Sequence, residues 1–148
     1  MRRATGKPVS TTEVIESFFT DRELVEMSDL LTVNAHPYFH SIRDPERAAE
    51  WTVKAYDNLV ARAAGKPVLF KEVGLPSAGG DGLGEAQQAD YYERLGRTHV
   101  TFAHFEAFDA LFKAGPVERS WGLFRADRTP KRAASAIASR VGSACPAR

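Results

Sequence analysis

The sequence predicts an α/β fold in which βα units feed a parallel sheet, and two observations carry that prediction. Four times the chain passes from a short extended segment through a polar loop into a helical pattern. The passages recur at spacings of roughly 20 to 40 residues, as βα units do. A closed eight-stranded (β/α) barrel takes about 250 residues, so four units amount to half of one. Periodicity alone leaves two options: an open sheet, or a piece of a barrel.

The first extended segment is Lys7 to Thr12, after which Asp21 offers an N-cap for a short helix from Arg22 to Met27. The second is Leu30 to Ala35, followed by a loop from His36 to Arg43 and then the clearest helix in the chain. Asp44 caps that helix, Pro45 suits its first position, and Gly65 stands where a left-handed C-cap belongs, with Pro67 beyond. Ala48, Trp51, Ala55, Leu59 and Ala63 recur every three or four residues and predict its buried stripe. The third strand, Pro67 to Glu72, leads through a Gly-rich loop to a helix from about Gly84 to Arg97 carrying Ala89, Tyr92 and Leu95 on one side. The fourth is His99 to Phe105. A long loop reaches Arg128, and Pro130 opens a last helix ending near Gly142.

Composition narrows the function classes. With 148 residues, 43% hydrophobic and 26% charged, the chain reads as one ordinary globular domain, which excludes disordered, collagenous and coiled-coil classes. No apolar run approaches the roughly 20 residues a membrane span needs, and Met1-Arg2-Arg3 leads into no apolar segment of a secretory signal. The expectation is therefore a soluble chain whose localisation stays open. A single cysteine, Cys145, excludes an internal disulfide and a cysteine-rich metal site. The net charge of +1 is unevenly placed: residues 1–7 and 128–148 hold eight basic and no acidic side chains, leaving the body at −7. The aromatics lie in that acidic body, which argues against a nucleic-acid partner.

Ligands of parallel α/β folds bind beyond the carboxyl ends of the strands. Here those ends carry Thr11, Thr12 and Glu13; then Asn34, His36, Pro37 and Tyr38; then Glu72; then Glu106 and Asp109. Carboxylates and aromatics converging on one rim suit a sugar, because rings stack on its faces and carboxylates serve as acid, base and nucleophile. Glu72 is the most informative, since a carboxylate directly after an apolar strand is held rigidly at the sheet's end. Pattern alone also permits a solvated strand-end glutamate.

The segments Asn34-Ala-His-Pro-Tyr-Phe39, Lys71-Glu-Val-Gly-Leu-Pro-Ser77, Phe105-Glu-Ala-Phe-Asp109, Lys113 and Glu118-Arg-Ser-Trp-Gly-Leu-Phe124 occur in order. Together they resemble glycoside hydrolase family 17, the β-1,3-glucanases and related glucosyl transferases, over about Val9 to Lys131. The resemblance implies a half-barrel of the (β/α)8 TIM-barrel class, the carboxyl-terminal half of the catalytic barrel. Residues 1–7 would be an extension, 8–142 the half-barrel, and 143–148 a frayed tail. It implies a retaining enzyme acting on β-1,3-glucan by hydrolysis or transglycosylation, with Glu72 as nucleophile after the seventh strand and Tyr38 facing it. Asn34, His36, Glu106, Asp109 and Trp121 would be substrate-binding, and Lys113 and Glu118 a charged pair on the cleft wall. No cofactor and no metal are implied. Family members are often extracellular or in the cell envelope.

Two departures matter. Ala110 stands where the family usually has an acidic residue. The acid/base, which in the family follows an asparagine after the fourth strand, has no counterpart, because neither Asn34 nor Asn58 precedes a glutamate. Retaining chemistry needs that second carboxyl. The expected partners are therefore a β-glucan and either a missing N-terminal half-barrel or a second copy, and the isolated chain should be inactive. The alternatives are a non-catalytic carbohydrate-binding or assembly module, or a truncated gene fragment.

Other features have plainer readings. His36, His99 and His104 come from separate segments and read as core or cleft-lining residues. Gly79 to Gly84 lacks phosphate-loop spacing and reads as a mobile βα loop at the cleft rim. Trp51 and Tyr56 should pack on the sheet. Of the adjacent Tyr91 and Tyr92, at most one is expected in the core. Lys131, Arg132 and Arg140 read as a solvated, basic helix end.

Overall fold

The computed structural model describes residues 2–144. Cys145 and the end of the expected tail lie outside that range. The order is α1 (Arg2–Thr5), β1 (Thr12–Val14), α2 (Ile15–Thr20), α3 (Arg22–Met27), β2 (Leu31–Ala35), α4 (Pro45–Arg62), β3 (Val68–Val73), α5 (Glu85–Leu95), β4 (Phe102–His104) and α6 (Arg132–Ala144), with a 3₁₀ turn over Pro37–His40. All pairings are parallel, and the strands lie side by side in chain order. Four βα units arranged in this way are half of a (β/α)8 barrel.

The first strand starts later than expected. Pro8 has no N–H to give a ladder, and the amide of Val9 donates instead to Asp29 Oδ2 at 2.8 Å. Ser10 Oγ reaches Leu30 O at 2.6 Å and Asp29 N donates to Val9 O at 2.8 Å, so residues before Thr12 are tied to the segment leading into β2 by side chains and one backbone bond rather than by a strand ladder. Helix α2 was not expected; Ile15 and Phe18 bury its one apolar edge. Asp21 serves both short helices: its amide closes α2 on Ser17 O, and its carboxylate accepts from Glu23 N at 2.8 Å to start α3.

Helix α4 follows its signals. Asp44 Oδ1 accepts from Arg47 N at 2.9 Å, and both Ala64 and Gly65 take positive φ after the last turn. Its buried face is Ala48, Ala49, Thr52, Tyr56, Leu59 and Ala63, rotated slightly from the expected stripe. Trp51 is consequently only half-buried and lies against His40, with ring centroids 4.4 Å apart.

The core lies between this helical layer and the sheet, where Leu31, Val33, Leu59 and Phe70 are fully buried. Each contributes roughly 1.5–3 kcal/mol. Tyr91 and Tyr92 are both buried, contrary to the expectation for adjacent helical residues. Successive side chains sit about 100° apart on a helix, and α5 is packed on more than one side, by α4 and α6, and reaches β3 through Tyr92. Tyr91 therefore meets Thr52 of α4 at 2.9 Å, while the Tyr92 hydroxyl lies 3.0 Å from Val73 O and 3.1 Å from Phe105 O. Burial pushes both phenols well above their usual pKa, keeping them neutral.

Gly74 follows β3 at this crowded point. A Cβ there would stand 2.3 Å from Phe105 O and 3.2 Å from the Tyr92 hydroxyl. Gly74→Ala should therefore lower stability by about 2 kcal/mol, read as a shift in the urea midpoint at unchanged slope. An unchanged midpoint would show that the β3 and β4 ends are not locked together here.

Candidate functional site

Burial along β3 breaks its alternation. Val68 and Phe70 face the helices, Leu69 faces away, and then Lys71 and Glu72 are both half-buried before Val73 turns back to the core. The register shows why: Val33 pairs with Phe70, but Asn34 pairs with Glu72, so Lys71 is an extra residue in the strand. A bulge of this kind re-aims the next side chain. Without it, Glu72 would share the phase of Phe70 and point into the helical layer. With it, Glu72 stands beside Asn34 on the opposite face.

A cavity of about 250 Å³ opens there, lined by residues that include Asn34, His36, Phe39, Glu72, Phe105, Glu118 and Trp121, with Val14, Ile15 and Glu16 on the β1 side. Lys71 Nζ donates to Glu72 Oε1, and His36 Nε2 lies 3.8 Å from Glu72 Oε2. Burial lowers the His36 pKa, and the neighbouring Glu72 charge offsets that only in part, so the ring is neutral at neutral pH. Trp121 is 1% exposed and its ring meets His36, Phe105 and Phe39 at centroid distances of 5.0 to 5.8 Å. Asn34 Oδ1, His36 Nδ1 and Trp121 Nε1 are buried without a well-formed hydrogen bond. Buried polar atoms are normally paired, and these three have essentially no accessible surface.

The structure separates the remaining expected residues. Tyr38 is turned toward Trp121, at 5.9 Å, with the Arg43 guanidinium 5.3 Å from its ring, and Phe39 takes the cavity wall instead. Lys113 pairs with Glu106 at 2.6 Å, not with Glu118 as the expected wall pair, while Glu118 lines the cavity. Asp109 lies away from Glu72, held by Lys131 Nζ at 2.5 Å and by Gly122 N at 3.1 Å. Lys131 is not a solvated helix end: it is 3% exposed and also donates to Ser77 Oγ at 2.8 Å. Ala110, beside Asp109, is buried. His99 is exposed on Asp57 at 2.6 Å rather than in core or cleft, and His104 packs against Tyr92. The Gly-rich loop is docked at Gly79, where a Cβ would stand 2.4 Å from Val117 N. The side chain of Arg140 is outside the description.

Sequence reading missed Lys71, Phe39, Phe105, Glu16 and His40. A signal for Lys71 was present: the buried positions Val68, Phe70 and Val73 are spaced by two and then three, which marks a one-residue insertion.

A parallel half-barrel with a carboxylate and a Trp-floored cavity beyond its strand ends has the architecture of a glycoside hydrolase. The BtgE/BtgC glycoside hydrolase domain matches residues 1–122, and the chain belongs to that family. Among its relatives, the cell surface mannoprotein MP65 of Candida albicans is 30% identical over 127 residues, covering 79% of this chain and 33% of that protein. The probable family 17 glucosidase SCW10 of Saccharomyces cerevisiae is 29% identical, covering 83% of this chain and 34% of that protein. Of solved structures, the glycoside hydrolase family 17 β-1,3-glucanosyltransferase of Rhizomucor miehei superimposes with a TM-score of 0.77 at 29% identity, over 89% of this chain and 51% of that one. An active-site mutant of the Rhizomucor enzyme, in complex with laminaritriose, gives 0.77 at 27% identity, over 90% of this chain and 52% of that one. The chain thus spans about a third of these curated relatives and half of the solved ones.

Removing Lys131 alone should strand the Asp109 carboxylate in a nearly closed site. Lys131→Met should destabilise the fold by about 3 kcal/mol, and the Asp109→Leu, Lys131→Met double variant should recover part of that loss. Strict additivity in thermal unfolding would show that the pair is not coupled.

Burial also lowers the His104 pKa, as it does for His36. The unfolded chain then binds more protons than the folded one between the lowered values and about 6.5, so stability falls as pH drops through that window. His104→Phe should flatten the slope of stability against pH between about 7 and 5.5. An unchanged slope would remove His104 from the account.

Proposed function

We propose that the chain carries the nucleophile side of a retaining active site for β-1,3-linked glucan. Glu72 attacks the anomeric carbon, the glycosidic C–O bond breaks, and the leaving oxygen takes its proton from a carboxylic acid on a further set of four strands. Water or a sugar hydroxyl then displaces Glu72 from the glucosyl intermediate. The observation that carries the reading is the bulge at Lys71, which brings Glu72 out beside Asn34 into the cavity lined by His36, Phe39, Phe105 and Trp121. Lys71, bonded to one carboxylate oxygen, orients the group and leaves the other toward the cavity. Phe39, which is 64% exposed, provides a ring face for the sugar, and Trp121 packs against it at 5.8 Å. The names of the relatives, family 17 glucosidase and β-1,3-glucanosyltransferase, support the linkage. A relative's description as a cell surface mannoprotein supports action at the cell surface.

Glu106 does not fit the missing acid/base, because its carboxylate is already engaged by the Lys113 ammonium at 2.6 Å. The acid is expected on an N-terminal half-barrel, so the 148-residue chain by itself should hydrolyse laminarin negligibly; loss of general acid catalysis costs about 10² to 10⁴ in rate. Robust turnover by the isolated chain would place the acid on it after all. In a barrel reconstituted with an N-terminal half, Glu72→Ala should abolish turnover. Azide should restore it on an aryl β-glucoside with a good leaving group and give the α-glucosyl azide, since one displacement inverts. A β-azide would assign Glu72 to the acid/base role, and full activity without azide would leave it no role.

A further inference from the structure

Two residues of the Glu72 cavity, Glu16 and His40, have no part in the chemistry at the anomeric carbon. Resting on the reading of Glu72 above, we propose that they form a second sugar subsite, which holds hydroxyl groups of the glucan unit next to the one that Glu72 attacks.

Strand pairing sets the spacing. Val14 pairs with Asn34, and Asn34 with Glu72, so the three stand in one row across β1, β2 and β3. Neighbouring strands lie about 4.8 Å apart, which puts the backbones of Val14 and Glu72 about 10 Å apart. Glu16 comes two residues after Val14, in the first turn of α2. A pyranose seated with its anomeric carbon at Glu72 is followed toward β1 by the next unit of the chain, and that unit meets Glu16 and His40. The 3₁₀ turn that ends in His40 also carries Phe39, 64% exposed, so a ring face lines the same cavity as the pair.

The pair has the chemistry of a hydroxyl clamp. His40 Nε2 lies 3.0 Å from Glu16 Oε1, and the two side chains are 36% and 53% exposed. A carboxylate accepts from several hydroxyl groups, and an imidazole nitrogen donates or accepts, so vicinal hydroxyls of a pyranose suit both. The His40 ring is held without the sugar: it lies on Trp51 of α4, with centroids 4.4 Å apart and planes 34° apart. A ligand therefore spends little on ordering it.

A second pair of the same kind provides the contrast. His99 Nε2 and Asp57 Oδ1 are 2.6 Å apart, both exposed, and lie outside that cavity. Exposed ion pairs add little to fold stability. What distinguishes Glu16 and His40 is the space they share with Glu72.

Amide shifts of the 148-residue chain, titrated with methyl β-glucoside and with laminaritriose, give the dissociation constants that test the subsite. The triose should bind about tenfold more tightly, the increment of one charge-assisted contact, and it alone should shift the resonances of Glu16 and His40. Glu16→Gln keeps the shape of the side chain, and His40→Phe keeps a ring on Trp51. Each should reduce the ratio of the two constants to about threefold or less. Asp57→Asn, at the contrasting pair, should leave the native ratio. A native ratio near one, a ratio unchanged in both cavity variants, or a fall of the same size in Asp57→Asn would overturn the subsite. Triose shifts confined to Asn34, His36 and Phe39 would overturn it while keeping a sugar at Glu72. Absence of shifts with either sugar would overturn it as well, and the Glu72 reading would still be decided by azide rescue in the reconstituted barrel.

Discussion

One inserted residue in β3 decides what the sheet presents. Up to Phe70 the strand alternates as its neighbours do, and its buried side chains anchor it in the helical layer. Lys71 then shifts the register against β2, and the same strand is irregular against β4 between Phe70 and Val73. The shift lets Glu72 leave the core while Val73 re-enters it. Burying a lone carboxylate among Phe70, Leu59 and Tyr56 would cost several kcal/mol. The bulge avoids that cost, and the Lys71 ammonium gives the displaced carboxylate a partner on the open side.

Everything around Glu72 holds the strand end in that position. Tyr92 ties Val73 O to Phe105 O, and the absence of a side chain at Gly74 lets the two segments touch. Gln88, fully buried, directs its amide at Leu75 O, Trp121 O and Gly122 O, which joins the segment after β3 to the one that carries Trp121. Lys131 fastens Ser77 to Asp109 a few residues further on. Several of these groups come from helices rather than loops. Rigid elements thereby position both the carboxylate and the indole, which is what a site must have if it is to act on a sugar held in one geometry.

The layout of the fold was legible in the sequence because caps and apolar periodicity are local. Asp44, Pro45 and Gly65 bracket α4 by chemistry that needs no tertiary context, and the four strand-to-helix passages fixed the parallel sheet. The motifs around Asn34, Glu72 and Trp121 also came together as their placement at strand ends implied. What escaped was set by packing between distant segments. Whether Lys131 is solvated depends on Asp109, 22 residues away, and whether Lys113 chooses Glu106 or Glu118 depends on a fold of the intervening loop. Tyr91 and Tyr92 are both buried only because α5 has neighbours on several sides. The 3₁₀ turn at Pro37–His40 puts Phe39 at the cavity and Tyr38 against Trp121.

If Glu72 is the atom donor to the anomeric carbon, it will carry the sugar when the second displacement is slowed. The most direct measurement is covalent trapping in a barrel reconstituted with an N-terminal half, using a 2-deoxy-2-fluoro-β-laminaribiosyl fluoride, followed by proteolysis and mass spectrometry of the labelled peptide. Fluoride departs with little need for a proton, and the 2-fluoro group slows breakdown of the intermediate. The account predicts one label per barrel, fragmenting to an ester on Glu72. A label on any other carboxylate, or a reagent hydrolysed with inversion and no label at all, would contradict it.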